Sequence, residues 1–133
     1  MNLKEFITSH NVDYSYNRAN EAFLSKMESL VGVRIGKQLK DYIINYGYLG
    51  YKHIELFGVN NSQGIDSDMI KQTLLLHKRF NVTKSLIAIE DQGDGDYYLV
   101  DETDMVYRFL PENNLSETGL SFDEYILSRF MTA

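Results

Sequence analysis

Three carboxylates, Asp91, Asp94 and Asp96, lie in the six-residue run Asp91-Gln92-Gly93-Asp94-Gly95-Asp96, with Asp101, Glu102 and Asp104 close behind. Acidic residues at this density raise three chemistries: cation binding, phosphate capture by the glycines, and acid/base catalysis. A calcium loop counted from Asp91 needs oxygen ligands at its third and fifth positions and glycine at its sixth. Those positions hold Gly93, Gly95 and Asp96, so the pattern fails although Glu102 falls at the twelfth. Gly93-x-Gly95 has the spacing of a nucleotide loop, but such loops open a helix whose N-terminus receives phosphate. This one opens an apolar strand and carries three negative charges that repel phosphate.

Paired carboxylates catalyse proton transfer or glycoside hydrolysis when one is buried enough to hold a proton. Asp94 and Asp96 sit in a glycine-rich turn expected to be wet, where carboxyls stay ionised. His10, His53 and His77 are far apart and form no H-E-x-x-H or His-x-Asp pattern, so each reads as a surface or partly packed residue. No G-x-S-x-G elbow accompanies the serines, and the chain has no cysteine, which removes thiolate nucleophiles, disulfides and Cys-based zinc sites. The expectation is a protein with no catalytic residues, no metal and no cofactor.

Binding is the remaining reading. The net charge of −6 disfavours nucleic acid and anionic membranes and favours a basic partner. Tyrosine is abundant, ten residues in 133, and Tyr46, Tyr48 and Tyr51 cluster around Gly47 and Gly50. A tyrosine offers an apolar ring and a usable hydroxyl, which suits protein recognition. Tyr46 and Tyr98 are expected in the core. The candidate protein-binding set is Asp91, Asp94, Asp96, Asp101, Glu102, Asp104, Tyr48 and Tyr51. Arg34, Lys37 and Lys40 read as a solvated helix face.

The elements that position these residues follow from periodicity. With 44% apolar and 24% charged residues, the chain reads as one soluble domain over 1–133. It has no signal-like start and no membrane-length apolar run, so it is expected in the cytoplasm. Leu3, Phe6, Ile7 and His10 predict a short, loosely docked helix, followed by a polar link from Asn11 to Asn17. Phe23, Met27, Leu30 and Val31 predict a second helix stopped by Gly32. A third runs from about Gly36 to Tyr46, with Leu39, Tyr42, Ile43 and Tyr46 inward and Gly47 as its left-handed cap. Period-two alternation from Tyr51 to Phe57 predicts a half-buried strand. After the loop Asn60 to Gly64, Asp66 and Ser67 are the expected N-caps of a helix near four turns long carrying Met69, Ile70, Thr73, Leu74, His77 and Phe80.

Leu86 to Ile89, Tyr97 to Val100 and Met105 to Leu110 are strands too closely spaced for anything but an antiparallel meander. Pro111 is expected to close the last of them. Ser121 and Glu124 form an S-x-x-E capping box, Leu120 is placed to staple onto Tyr125, and Phe122, Tyr125, Ile126 and Phe130 form the buried stripe of a final helix. The fold class is α+β: an antiparallel sheet of about four or more strands packed with an N-terminal helical pair, a middle helix and a C-terminal helix.

The order and spacing of four segments resemble the SUKH superfamily, which includes the yeast cell-wall-synthesis regulators and many bacterial toxin-immunity proteins. They are Leu30-Val31-Gly32-Val33; Leu39-Lys40-Asp41-Tyr42-Ile43-Ile44-Asn45-Tyr46-Gly47; Ile87-Ala88-Ile89 through Gly93-Asp94-Gly95-Asp96-Tyr97-Tyr98-Leu99; and Ser121-Phe122-Asp123-Glu124-Tyr125-Ile126. The resemblance spans about Asn20 to Phe130. It departs at Ile35-Gly36, where the family usually has proline after the aliphatic residue. It implies a non-enzymatic α+β fold that, in bacteria, typically binds and neutralises a cognate toxin, often a nuclease. An acidic protein suits the positive cleft of such a toxin. The alternatives are a regulatory or scaffolding module of the same fold, and a small hydrolase using Asp94 and Asp96.

Overall fold

The computed structural model describes residues 1–15, 19–60, 64–112 and 114–133. Parts of the Asn11 to Asn17 link and of the Asn60 to Gly64 loop lie outside the described residues. The element order is α1 (Leu3–Ser9), β1 (Asp13–Tyr14), α2 (Glu21–Val31), α3 (Lys37–Asn45), β2 (Leu49–Tyr51), β3 (Ile54–Glu55), α4 (Met69–Arg79), β4 (Ile87–Asp91), β5 (Tyr97–Val100), β6 (Met105–Leu110), β7 (Asn114–Ser121) and α5 (Phe122–Met131). The α+β class holds, with two antiparallel sheets: a small one ordered β1-β2-β3 and a large one ordered β4-β5-β6-β7.

The helices begin and end where short-range chemistry dictates. Asn2 and Asn20 cap α1 and α2 through their side chains, and Gly32 ends α2 in the left-handed region at φ 70°. Gly47 does the same after α3 at φ 70°. The capping box of α5 is complete, with Ser121 accepting from Glu124 N and Glu124 accepting from Ser121 N. Phe122, Tyr125, Ile126 and Phe130 are buried. α1 is firmly docked rather than loose: Leu3, Phe6 and Ile7 are buried and the helix packs on α5.

Four expectations are corrected. In α2 the buried stripe is Leu24, Met27 and Val31, while Leu30 faces solvent. The strand expected over Tyr51 to Phe57 is a tight hairpin of β2 and β3, turning at Lys52 with φ 54°. The side-chain alternation survives, because Ile54 and Leu56 are buried and His53 and Glu55 exposed. The middle helix starts later and is shorter than expected: Asp68 caps it, accepting from Lys71 N at 2.9 Å, and Asp66 and Ser67 belong to a preceding 3₁₀ turn. Pro111 directly follows the end of β6 at Leu110, as expected, but β6 is not the last strand: β7 continues the meander to a fourth.

The outer edge of β4 is sealed by hydrogen bonds from other elements, which removes an aggregation-prone row of unpaired backbone groups. Ala88 N donates to the buried Thr73 hydroxyl of α4 at 2.9 Å, and His77 Nε2 donates to Leu86 O at 2.7 Å. A bulge between Ala88 and Glu90 leaves Ile89 outside the ladder with β5. Its carbonyl accepts from Phe57 N at 2.8 Å, tying the exit of the small sheet to the large one.

Candidate protein-binding surface at the ends of the sheet

A meander sends successive turns to opposite ends of its sheet. The turn carrying Asp91, Asp94 and Asp96 joins β4 to β5, and the turn carrying Asp101, Glu102 and Asp104 joins β5 to β6. The six carboxylates therefore form two groups separated by the length of β5, roughly 13 Å for a four-residue strand.

The first turn is tightly built. Gly93, Asp94 and Gly95 all have positive φ, 106°, 55° and 77°. Asp91 accepts from Gly93 N at 2.8 Å, Gln92 N donates to Asp96 O at 2.9 Å, and Gly95 abuts the Pro111 ring so closely that a Cβ would lie 2.7 Å from Cγ. Asp96 is engaged by Arg108 through Nε at 2.8 Å and a terminal nitrogen at 3.3 Å, an exposed pair that cancels its charge locally. Asp91 and Asp94 stay exposed.

At the other end, Asp101 accepts from Thr103 N, Thr103 Oγ1, Met105 N and Tyr107 OH at 2.7–3.1 Å. Burial pushes its carboxyl up, but these bonds together outweigh that and hold it below the ordinary range. Glu102 is exposed. Asp104 turns inward, is buried, and accepts from Gln38 N at 2.9 Å and Leu39 N at 3.2 Å, capping α3.

The tyrosines divide as well. Tyr48 is buried over Gly50, and its hydroxyl donates to Glu55 at 3.1 Å. Burial pushes its ionisation up, so the hydroxyl stays protonated. Tyr51 is half-buried, edge-on to Phe6 with centroids 5.2 Å apart and tilted against Phe130 at 5.5 Å. Asp104 and Tyr48 thus serve internal contacts, and Tyr51 presents only part of its ring.

One grouping was not apparent from sequence. A cleft of about 290 Å³ beside the first turn is lined by His53, Glu55, Asp66, Glu90, Asp91 and Arg129, among others. Three exposed carboxylates, Glu55, Asp66 and Asp91, arrive from β3, the turn before α4 and β4. The Phe57 to Ile89 bond and the bond from Gly58 N to Ser67 O, 2.8 Å, bring these segments together. At the base, Glu90 is buried and accepts from Tyr125 OH at 2.5 Å, Arg129 Nε at 3.0 Å and a terminal Arg129 nitrogen at 2.5 Å. Its one sequence signal is a carboxylate directly after the apolar run Leu86 to Ile89.

Among the described residues, no group of three or more His, Asp or Glu side chains could hold a metal ion, and no helix is long and apolar enough to cross a membrane. His10 stacks on Phe6 at 3.8 Å and His77 is bonded to the backbone.

Charge is also crowded where α3 meets α5. Asp123 lies in a cleft of about 630 Å³ with Asn2, Lys4, Gln38 and Asp41. Desolvation, then the charges of Asp104 and Asp41, push its carboxyl from the ordinary 3.8 up to about 6. A raised folded value means that the folded state binds this proton more tightly than the unfolded chain. The contribution is fully present below about pH 4 and is lost as pH rises through 6. Asp123→Asn is therefore expected to gain stability relative to the parent as pH goes from 4 to 7, read as the difference between their melting temperatures at each pH. A constant difference across that range would contradict the assignment.

A family model described as SUKH_5, SMI1-KNR4 cell-wall, matches residues 2–131. The chain belongs to this family. None of the curated proteins matches it. Within this SUKH chain, the departure at Ile35-Gly36 has a structural basis. Gly36 is the N-cap of α3 at φ −71°, an angle proline would accept, but any Cβ there would lie 2.6 Å from Asp104 Cγ.

Proposed function

We propose that this SUKH chain is a cytoplasmic immunity protein that binds a cognate toxin domain one-to-one and blocks it without catalysis. The observation that carries the reading is the cleft where Glu55, Asp66 and Asp91 converge beside the exposed turn Asp91 to Asp96. Exposed carboxylates from three elements present negative charge to a basic surface such as a nuclease cleft. Such a field accelerates encounter and weakens with salt. Membership of the family supports a binding role rather than an enzymatic one. Glu90 supports the same reading, because its carboxylate is occupied by Arg129 and Tyr125 rather than poised for proton transfer.

Co-expression with the toxin encoded beside its gene is expected to give a 1:1 complex and to protect the cell. Glu55→Gln, Asp66→Asn and Asp91→Asn together are expected to slow association about tenfold at low salt and to flatten its salt dependence. No complex with that toxin would sink the reading. An unchanged association rate in the triple variant would move the interface away from this cleft.

A further inference from the structure

The chain carries 13 lysines and arginines against 19 aspartates and glutamates, yet residues 69–89 contain Lys71, His77, Lys78, Arg79 and Lys84 and no acidic residue. α4 buries Met69, Thr73 and Leu76, and it packs on β4 and α2. Its outer side carries Lys71, Leu74, Leu75 and Lys78, and the turn after it carries Val82. Leu74, Leu75 and Val82 are 40%, 53% and 39% exposed. Among the described residues the ion pairs are Arg108–Asp96 and Arg129–Glu90, so none engages the cations of α4.

The helix dipole accounts for part of this pattern only. Lys78 and Arg79 in the last turn complement the negative C-terminal end. Lys71 in the first turn opposes the dipole, and the dipole gives no reason for two adjacent leucines in water. Lys71, Leu74, Leu75 and Lys78 fall at i, i+3, i+4 and i+7 of α4, one exposed helix face of the kind that meets a partner helix, and Val82 in the turn after the helix extends its apolar part.

We propose that this face docks an acidic amphipathic helix of a partner protein, at a surface separate from the acidic cleft. Leucines of the partner cover Leu74, Leu75 and Val82, and its glutamates meet Lys71, Lys78 and Arg79. Charge complementarity selects an acidic occupant. A protein fits better than an anionic membrane, because the three exposed apolar residues are aliphatic, with no aromatic anchor, and the chain as a whole carries −6. The inference does not depend on the toxin reading, since the two surfaces share no residue.

The probe is a synthetic helix with leucines at i, i+3, i+4 and i+7, flanked by glutamates and bearing one tryptophan, a residue the protein lacks. Saturable 1:1 binding by tryptophan fluorescence is expected. Lys71→Glu with Lys78→Glu, and separately Leu75→Ser, are each expected to weaken it about tenfold or more. All three positions are exposed, and in the double variant the gain of a glutamate in the first turn offsets the loss of Lys78 in the last, so the urea midpoint should stay close to the parent value in both variants. The same helix with lysines replacing the glutamates should not bind. The proposal is overturned if neither helix binds, if both bind equally, or if the variants bind as the parent does. It is also overturned if phosphatidylglycerol vesicles bind the protein and the peptide does not, or if sedimentation shows self-association that Leu75→Ser abolishes.

Discussion

Arg129→Met is expected to lower the free energy of unfolding by about 3 kcal/mol, a large share of the roughly 5–15 kcal/mol that holds a small domain folded. The reason lies in what the substitution leaves behind. The Glu90 side chain is 2% exposed, and two of its three hydrogen bonds come from the Arg129 guanidinium. Without Arg129 the carboxylate keeps one neutral donor, Tyr125 OH, in a medium that solvates charge poorly. Arg129 is itself 22% exposed, so water can partly replace it, which places the loss at the lower end of the range for broken buried pairs. Glu90→Gln combined with Arg129→Met removes the uncompensated charge while the amide oxygen still accepts from Tyr125, and it is expected to recover most of the loss. Urea unfolding of the parent, the single and the double variant measures both effects. A single variant within about 1 kcal/mol of the parent, or a double variant no better than the single, would show that the ion pair does not hold α5 to β4.

Glu90 also shows where sequence reading stops. Its position after Leu86 to Ile89 was visible, but its partners lie 35 and 39 residues away on α5. Neither Tyr125 nor Arg129 can be assigned to it before the helix is docked. The segments that read clearly were those whose signals are local: the Ser121 capping box, the glycines ending α2 and α3, and the three apolar strands of the meander. β7 was missed because Asn114-Leu115-Ser116-Glu117-Thr118-Gly119-Leu120-Ser121 has little β-propensity and a largely exposed face, so it is a strand by virtue of pairing with β6. The β2–β3 turn was hidden because Lys52, not glycine or asparagine, takes the left-handed conformation.

The candidate surface was legible in composition and not in arrangement. The acidic turns were evident, and the meander expected from the same residues already required them to lie at opposite ends of the sheet. Glu55 and Asp66 join Asp91 only through backbone bonds made by Phe57 and Gly58 to distant segments, which no local pattern announces. Asp68 displaced Asp66 and Ser67 as the cap of α4 for a similar reason. Gly58 N binds Ser67 O, and Met69 N binds Gly58 O, both at 2.8 Å, and these bonds fix which of three cap-competent residues precedes the helix.

Gly36 and Asp104 are expected to behave as one unit, each substitution being harmful alone and nearly neutral together. Glycine at the N-cap of α3 has no side chain to receive the free N–H groups of the first turn. Asp104 receives them instead, from Gln38 and Leu39, the same two that an N-cap serine would serve. It also accepts from Phe122 N through its carbonyl at 2.8 Å, so one residue fixes the start of both α3 and α5. Asp104→Gly removes the cap and leaves Leu39 N buried without an acceptor, a cost of about 2 kcal/mol, partly offset because glycine relaxes the φ of 69° at that position. Gly36→Ser drives its Cβ into the Asp104 carboxylate and is expected to cost about 1–3 kcal/mol by overpacking. In the double variant the collision disappears and the serine hydroxyl reaches the vacated N–H groups. Its stability should return to within about 1 kcal/mol of the parent, giving a coupling energy on the order of 2 kcal/mol. Urea midpoints of the four proteins complete the cycle, and simple additivity of the two losses would show that the glycine and the aspartate do not exchange roles at this helix start.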